Sequence, residues 1–206
     1  MGLGARLNMG LRLEDQAREI PDNTFFLYKD RAYTYKDANI RVNQFVYGLL
    51  TLGIVKGDHV GIMMDNHPDY LTLVVALNRM GAVAVLMNPG AQGSVLEQAI
   101  GEGDVNGVIV DPGHLDAVLK VLPKDKTWMV WGNSPDAEIP KGVACLEKLI
   151  DPRIQECPLQ SDANPGLVDD LAMLVFTSGT TGLPKAARIS NGRWMMGATG
   201  AAVAGG

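Results

Sequence analysis

The fold class this sequence predicts is α/β, a largely parallel sheet covered by helices. Three observations predict it. Short continuous apolar runs recur: DHVGIMM (58–64), AVAVLMN (82–88), VNGVIVD (105–111), TWMVWG (127–132) and LAMLVF (171–176). Strands that are apolar on both sides belong to a sheet covered on both faces. Segments with helical spacing separate most of these runs, which is the alternation of a parallel sheet. Finally, 47% of the 206 residues are apolar, enough to build a core for one large domain or two small ones.

The elements follow in order. The opening MGLGARLNMGLRLEDQAREI sets Arg6 and Arg12 among its apolar residues, so it lacks the unbroken core of a signal peptide. Position 6 is Arg where a myristoylation pattern needs Ser or Thr. NTFFLYKDRAYTYKDA reads as a short hairpin with Lys29-Asp30-Arg31 at the turn. Thr34 and Asp37 have capping-box spacing. Ala38, Val42, Phe45, Val46 and Leu49 then recur at three- and four-residue steps, marking an amphipathic helix that Gly53 ends. Pro68 suits the first turn of a helix running to about Met80, apolar on most faces and therefore buried on both sides. Ser94 and Glu97 read as the cap of a short helix to about Gly101. Further short helices are expected around His114 to Leu122 and Ala144 to Ile150. The Pro-, Asp- and Ser-rich stretches within 133–169 read as a surface excursion. The tail, NGRWMMGATGAAVAGG, begins as a helix and then dissolves into Gly and Ala.

Composition excludes several function classes. A net charge of −5 argues against a nucleic-acid groove, which needs clustered Lys and Arg. Two cysteines, Cys145 and Cys157, make neither a disulfide framework nor a zinc motif and read as structural thiols in a reducing compartment. His59, His67 and His114 form no ligand motif. The apolar stretch 70–87 is about long enough to span a bilayer but carries Asn78, Arg79 and Gly81 at its centre. A helix, a turn and a strand fit it better. The reading is a soluble, cytoplasmic protein.

The chemistry points to TSGTTGLPK (177–185), directly after a buried strand. Gly179 and Gly182 let phosphate oxygens approach the backbone. Ser178, Thr180 and Thr181 supply hydroxyl donors, the nearby amides can form an anion-binding nest, and Lys185 adds a full positive charge. The spacing is not Walker A, and no GxGxxG fingerprint is present. The bland alternative is a Ser/Thr/Gly surface turn, but few such turns also place Gly, Gly, Pro and Lys together behind a buried strand. Elsewhere, Asp65, Asn66 and His67 follow a strand and suit helix capping. Arg79 suits the carbonyls of a helix end, and Trp128 and Trp131 suit packing.

Phe176-Thr-Ser-Gly-Thr-Thr-Gly-Leu-Pro-Lys185 resembles the phosphate-loop signature of the AMP-forming acyl-CoA synthetase superfamily, which includes acyl-CoA synthetases, peptide-synthetase adenylation domains and luciferases. YTYKDANIRVNQFVYGLLTLGIVKGDHVGIMMDN and LVVALNRMGAVAVLMNP, with its Asn88-Pro89 ending, resemble upstream parts of the same family. The resemblance covers nearly all of 20–200 and is strongest to the long- and very-long-chain fatty acyl-CoA synthetase, or fatty-acid transport protein, branch. It implies that 1–206 is part of an N-terminal adenylate-forming (AMP-binding) domain. The implied reaction joins ATP, a fatty acid and coenzyme A through an acyl-adenylate, releasing AMP and pyrophosphate. The residues implied to hold the triphosphate are Thr177, Ser178, Gly179, Thr180, Thr181, Gly182 and Lys185. Family members carry the glutamate for Mg2+, a ribose-binding aspartate and a small domain with a catalytic lysine beyond this loop, and none of these motifs follows Lys185. The expectation is therefore a truncated form inactive alone, or one chain of a split protein completed by a complementary chain. A fatty-acid substrate implies peripheral contact with a membrane. Two alternatives stay open: a non-catalytic nucleotide- or partner-binding remnant, and, less favoured, a phosphotransferase.

Overall fold

A computed structural model describes residues 7–123, 128–131, 140–159, 166–177 and 185–204. The chain opens with helix α1 (Met9–Glu19), which the sequence reading missed. Its signals were local. Asn8 caps it by accepting from the Gly10 and Leu11 amides, and Arg18 pairs with Glu14 one turn back. Strands β1 (Thr24–Tyr28) and β2 (Arg31–Thr34) form the expected antiparallel hairpin. Its turn is only Lys29-Asp30, with Lys29 at φ 52°; Arg31 already belongs to β2. Thr34 and Asp37 make the full capping box of α2 (Tyr35–Thr51).

Strand β3 (His59–Met63) leads to α3 (Pro68–Met80), whose first residue is the expected proline. Gly81, at φ 77°, ends that helix in the left-handed region that a Cβ disfavours. Strand β4 (Val83–Leu86) is followed by α4 (Gly93–Glu102). The cap there is Gln92 without a side-chain hydrogen bond, so Ser94 lies inside the helix and not at its cap. Strand β5 (Gly107–Val110), a 3-10 turn (Pro112–His114), α5 (Leu115–Val121) and β6 (Trp128–Trp131) continue the alternation. Ala144 and Cys145, expected in a helix, instead form β7 (Ala144–Cys145), because they pair with β6; α6 (Leu146–Leu149) follows. Strand β8 (Leu171–Thr177) runs as predicted. Residues 185–190 were not read as a strand, yet they form β9 (Lys185–Ser190) through six paired positions on β8. The Gly/Ala tail does not dissolve: α7 (Asn191–Ala204) continues through it.

The large sheet has the order β7-β6-β5-β3-β4-β8-β9. All neighbouring pairs are parallel except β8 and β9. From β3 the chain steps one way to β4, then back past β3 to β5. Right-handed crossovers in opposite directions place their helices on opposite faces. The core obeys this rule. Val60, Ile62, Ala84, Ile109 and Met173 pack against α2 and α3, including Phe45, Leu49, Leu73 and Leu77. Met63, Val85, Val108, Val110 and Leu174 pack on the other face against α4 and α5, through Leu96, Ile100, Leu115 and Val118. Every α3 residue from Thr72 to Met80 is buried, as predicted for a helix covered on both sides. No described helix is long and apolar enough to cross a membrane.

A buried polar junction ties the start of the chain to this core. Arg79 is 2% exposed. It donates to the Gly10 carbonyl from Nε (3.1 Å) and Nη2 (2.5 Å), to Asn39 Oδ1 (2.8 Å) and to Asn43 Oδ1. Its guanidinium thus ties α3 to α1 and α2 across the core. Asn78 extends the junction, donating to Asn191 Oδ1 (2.9 Å) and accepting from the Gly10 amide.

Candidate functional site

Parallel strands all present their carboxyl ends at one edge of the sheet, where connecting loops collect and ligands bind. Four strands order that edge here. Leu86 of β4 is level with Ile62 of β3 and Val175 of β8, and Met63 of β3 is level with Val110 of β5. Two residues beyond those β4 and β8 positions are Asn88 and Thr177. The upstream Asn-Pro therefore lies beside the strand that leads into the glycine-rich connection.

That connection joins β8 to β9. Thr177 and Lys185 pair across the last rung of the antiparallel ladder, so their Cα atoms are held about 5 Å apart. Lys185 is exposed, with its backbone fixed on a strand. Of the residues predicted to hold phosphate, Thr177 is described through its backbone and Lys185 fully. Ser178, Gly179, Thr180, Thr181 and Gly182 lie outside the described residues. The reason for the lysine's fixed place was not visible in the sequence: β9 exists because β8 offers it a partner.

The same edge gathers residues that the sequence reading left dispersed. Asp65 and His67 follow β3, and Asp111 and His114 follow β5. The Asp65 amide donates to Asp111 Oδ2 (2.8 Å), and His114 Nε2 lies 3.0 Å from Asp65 Oδ1. Asp111 Oδ1 is sealed from solvent and has no hydrogen-bond partner among the described residues. Burial raises the Asp111 carboxyl above its ordinary pKa, and the Asp65 carboxylate adds to the rise; the Asp65 amide, His114 and His67 oppose it. His67 caps α3 by accepting the Asp69 amide (3.1 Å), as its position suggested. His59 lies at the opposite end of β3, its Nδ1 2.6 Å from the Gly103 carbonyl oxygen.

Next to this edge, a cleft of about 360 Å³ separates the hairpin from α2 and the start of α3, with Phe26, Tyr33, Arg41 and Thr72 in its wall. Arg41 makes a two-pronged pair with Asp69 (2.9 and 2.6 Å) and reaches Glu147 (2.8 Å), joining α2, α3 and α6. No group of three or more His, Cys, Asp and Glu side chains among the described residues is arranged to hold a metal ion.

Comparison with known proteins bears on this edge. The profile of the family described as "AMP-binding enzyme" matches residues 13–205. The chain is 30% identical over 185 residues to long-chain fatty acid transport protein 6 of Mus musculus, covering 89% of this chain and 30% of that protein. It is also 30% identical over 200 residues to the medium/long-chain-fatty-acid–CoA ligase FadD6 of Mycobacterium tuberculosis, covering 94% and 32%. The chain thus spans about a third of the length of these relatives. Among solved structures, the anthranilate CoA ligase AuaEII in complex with anthranoyl-AMP aligns with a TM-score of 0.78 at 21% identity, over 93% of this chain and 36% of that one. The long-chain-fatty-acid–CoA ligase FadD1 of Archaeoglobus fulgidus aligns with a TM-score of 0.76 at 18% identity, over 94% and 38%. These structures share the α/β fold and its mostly parallel sheet.

Proposed function

Because the chain belongs to the AMP-binding enzyme family, we propose that it is the nucleotide-gripping front portion of a fatty acyl-CoA synthetase. The observation that carries the reading is the β8–β9 hairpin, which holds Lys185 opposite Thr177 at the carboxyl edge of the sheet. In this proposal Thr177, Ser178, Gly179, Thr180, Thr181, Gly182 and Lys185 bind the triphosphate of ATP. The fatty-acid carboxylate attacks the α-phosphorus, giving acyl-adenylate and pyrophosphate, and the thiol of coenzyme A then displaces AMP. Negative charge builds on the phosphates in the first step, so a fixed lysine and nearby donors lower its barrier.

The described residues offer no metal cluster; in this reading the glutamate that would hold Mg2+ lies in sequence equivalent to the remaining two thirds of the relatives. The acyl pocket and the ribose-binding residues belong, in this reading, to sequence equivalent to the remaining two thirds of the relatives, supplied by a longer or a complementary chain. Alone, residues 1–206 bind nucleotide and turn over little. Peripheral contact with a membrane would follow from a fatty-acid substrate. The second reading, a non-catalytic nucleotide-binding remnant, shares the same loop and differs only in lacking that completion.

The test pairs ATP binding with fatty-acid-dependent ATP–pyrophosphate exchange, for the wild-type chain and Lys185→Met. Losing one charge-assisted contact of about 1.5–3 kcal/mol predicts roughly 10- to 150-fold weaker ATP binding in the variant. Equal ATP affinity in both proteins would sink the proposed role of the loop. ATP binding without exchange, even after the complementary segment is added, would favour the remnant.

A further inference from the structure

The pairing of Asp111 with Asp65 and His114 plays no part in the proposed reaction, and its geometry is unusual for a structural contact. β3 and β5 are adjacent, but the chain leaves β3 for α3 on one face of the sheet and β5 for α5 on the other. The two connections diverge at this point, and Asp111 spans the gap. One of its oxygens is well used: Oδ2 accepts the Asp65 amide at 2.8 Å. The other, Oδ1, is sealed from solvent with no donor among the described residues. A carboxylate with one oxygen desolvated and unbonded is costly in its charged form.

The groups facing it come from two elements. From the β3–α3 turn come the Asp65 carboxylate, which repels, and the imidazole of His67. From the 3-10 turn comes His114, which bonds Asp65 at 3.0 Å. We propose that Asp111, with Asp65 and His114, is a proton-operated latch between the ends of β3 and β5. The ionised carboxylate holds the Asp65 amide tightly, and protonation slackens that tie. The turn it governs carries His67, the cap of α3, and the Asn66 carbonyl, which accepts the Tyr28 hydroxyl at 2.8 Å. Protonation therefore loosens a strip running from the sheet edge to the β1–β2 hairpin while both cores stay packed.

The direction follows from burial. The Asp111 carboxyl sits above its ordinary range, so the folded chain takes up this proton more readily than the unfolded chain. Its contribution to stability is complete below the unfolded pKa and is lost as pH rises through the folded one. The latch is tight where the site is electrostatically strained and slack where it is relaxed.

The test is an NMR titration of the isotopically labelled 206-residue chain from about pH 3 to about pH 8, a span covering carboxylate and imidazole ranges. It follows the Asp111 carboxyl carbon and the Asp65 amide proton. The expected result is an Asp111 midpoint above the ordinary carboxylate range, with the Asp65 amide moving at the same midpoint. Asp65→Asn keeps the amide but removes the like charge, so it lowers the Asp111 midpoint; His114→Gln raises it. Asp111→Asn abolishes the movement of the Asp65 amide above the ordinary range. Either single-charge variant suffices if another fails to fold. An Asp65 amide that ignores the Asp111 titration overturns the latch, as does a midpoint that neither charge variant moves.

Discussion

Replacing Arg79 with methionine tests whether the buried polar junction holds the N-terminal helix on the core. Arg79 is 2% exposed, and three acceptors depend on it: the Gly10 carbonyl, Asn43 Oδ1 and Asn39 Oδ1. Gly10 and Asn43 are buried and Asn39 is half-buried. Asn43 Oδ1, stranded without a donor, costs about 1–3 kcal/mol, and the Gly10 carbonyl, which keeps its partner within α1, loses charge-assisted bonds of about 1.5–3 kcal/mol. The opposing term is real, because burial disfavours the guanidinium charge and lowers its pKa. Allowing for that relief, Arg79→Met is expected to destabilise the chain by about 3 kcal/mol. At about 2–4 °C per kcal/mol for a chain of this size, the midpoint of thermal unfolding falls by roughly 10 °C. Circular dichroism melts and urea titrations of the same samples read both quantities. Arg79→Lys keeps the charge but loses the planar fork that reaches three acceptors, and should fall in between. A methionine variant as stable as wild type, or more so, would show that the junction is a net electrostatic burden and refute the reasoning.

Two further predictions concern local geometry and charge. A Cβ at position 10 would lie 2.5 Å from Arg79 Cβ and 2.8 Å from its Cα, whereas at position 48 its nearest neighbour would be the Cδ1 tip of Leu146 at 3.0 Å, with Ile150 and Leu149 at ordinary contact distance. Gly10→Ala must push α1 off α3 and should cost about 2–3 kcal/mol. Gly48→Ala gains about 1 kcal/mol of helix propensity against a yielding neighbour and should stay within about 1 kcal/mol of wild type; equal costs in urea unfolding would contradict the packing. The Asp151 carboxyl is held down to about 2 by side-chain and backbone hydrogen bonds from Arg153. Its stabilising effect is present above the unfolded pKa and lost as pH falls toward 2. Arg153→Ala removes the side-chain bonds and keeps the backbone one, so the Asp151 carboxyl carbon midpoint should rise toward the ordinary range, and an unmoved midpoint would rule out the Arg153 side chain as the cause.

Much of the fold is legible in the sequence because its signals span only a few residues. Thr34 and Asp37 lie three apart and close a capping box on their own helix. Pro68 starts α3 because a first-turn proline wastes no hydrogen bond. Continuous apolar runs mark strands whatever their neighbours, since both faces of the sheet are covered. The proposed phosphate role of 176–185 rests on an equally local pattern, because its glycines, hydroxyls and lysine are consecutive. Tertiary structure alone decided what depends on which segments meet. Lys185–Ser190 is a strand because β8 offers it an edge, not because Ala186 and Ala187 favour one. Ala144 and Cys145 join the sheet for the same reason on β6. Asp65 and Asp111, 46 residues apart, meet because β3 and β5 are neighbours. Arg79 finds Gly10, 69 residues away, because α1 lies across α3. Strand order and helix packing are properties of the whole chain, and no short window of sequence contains them.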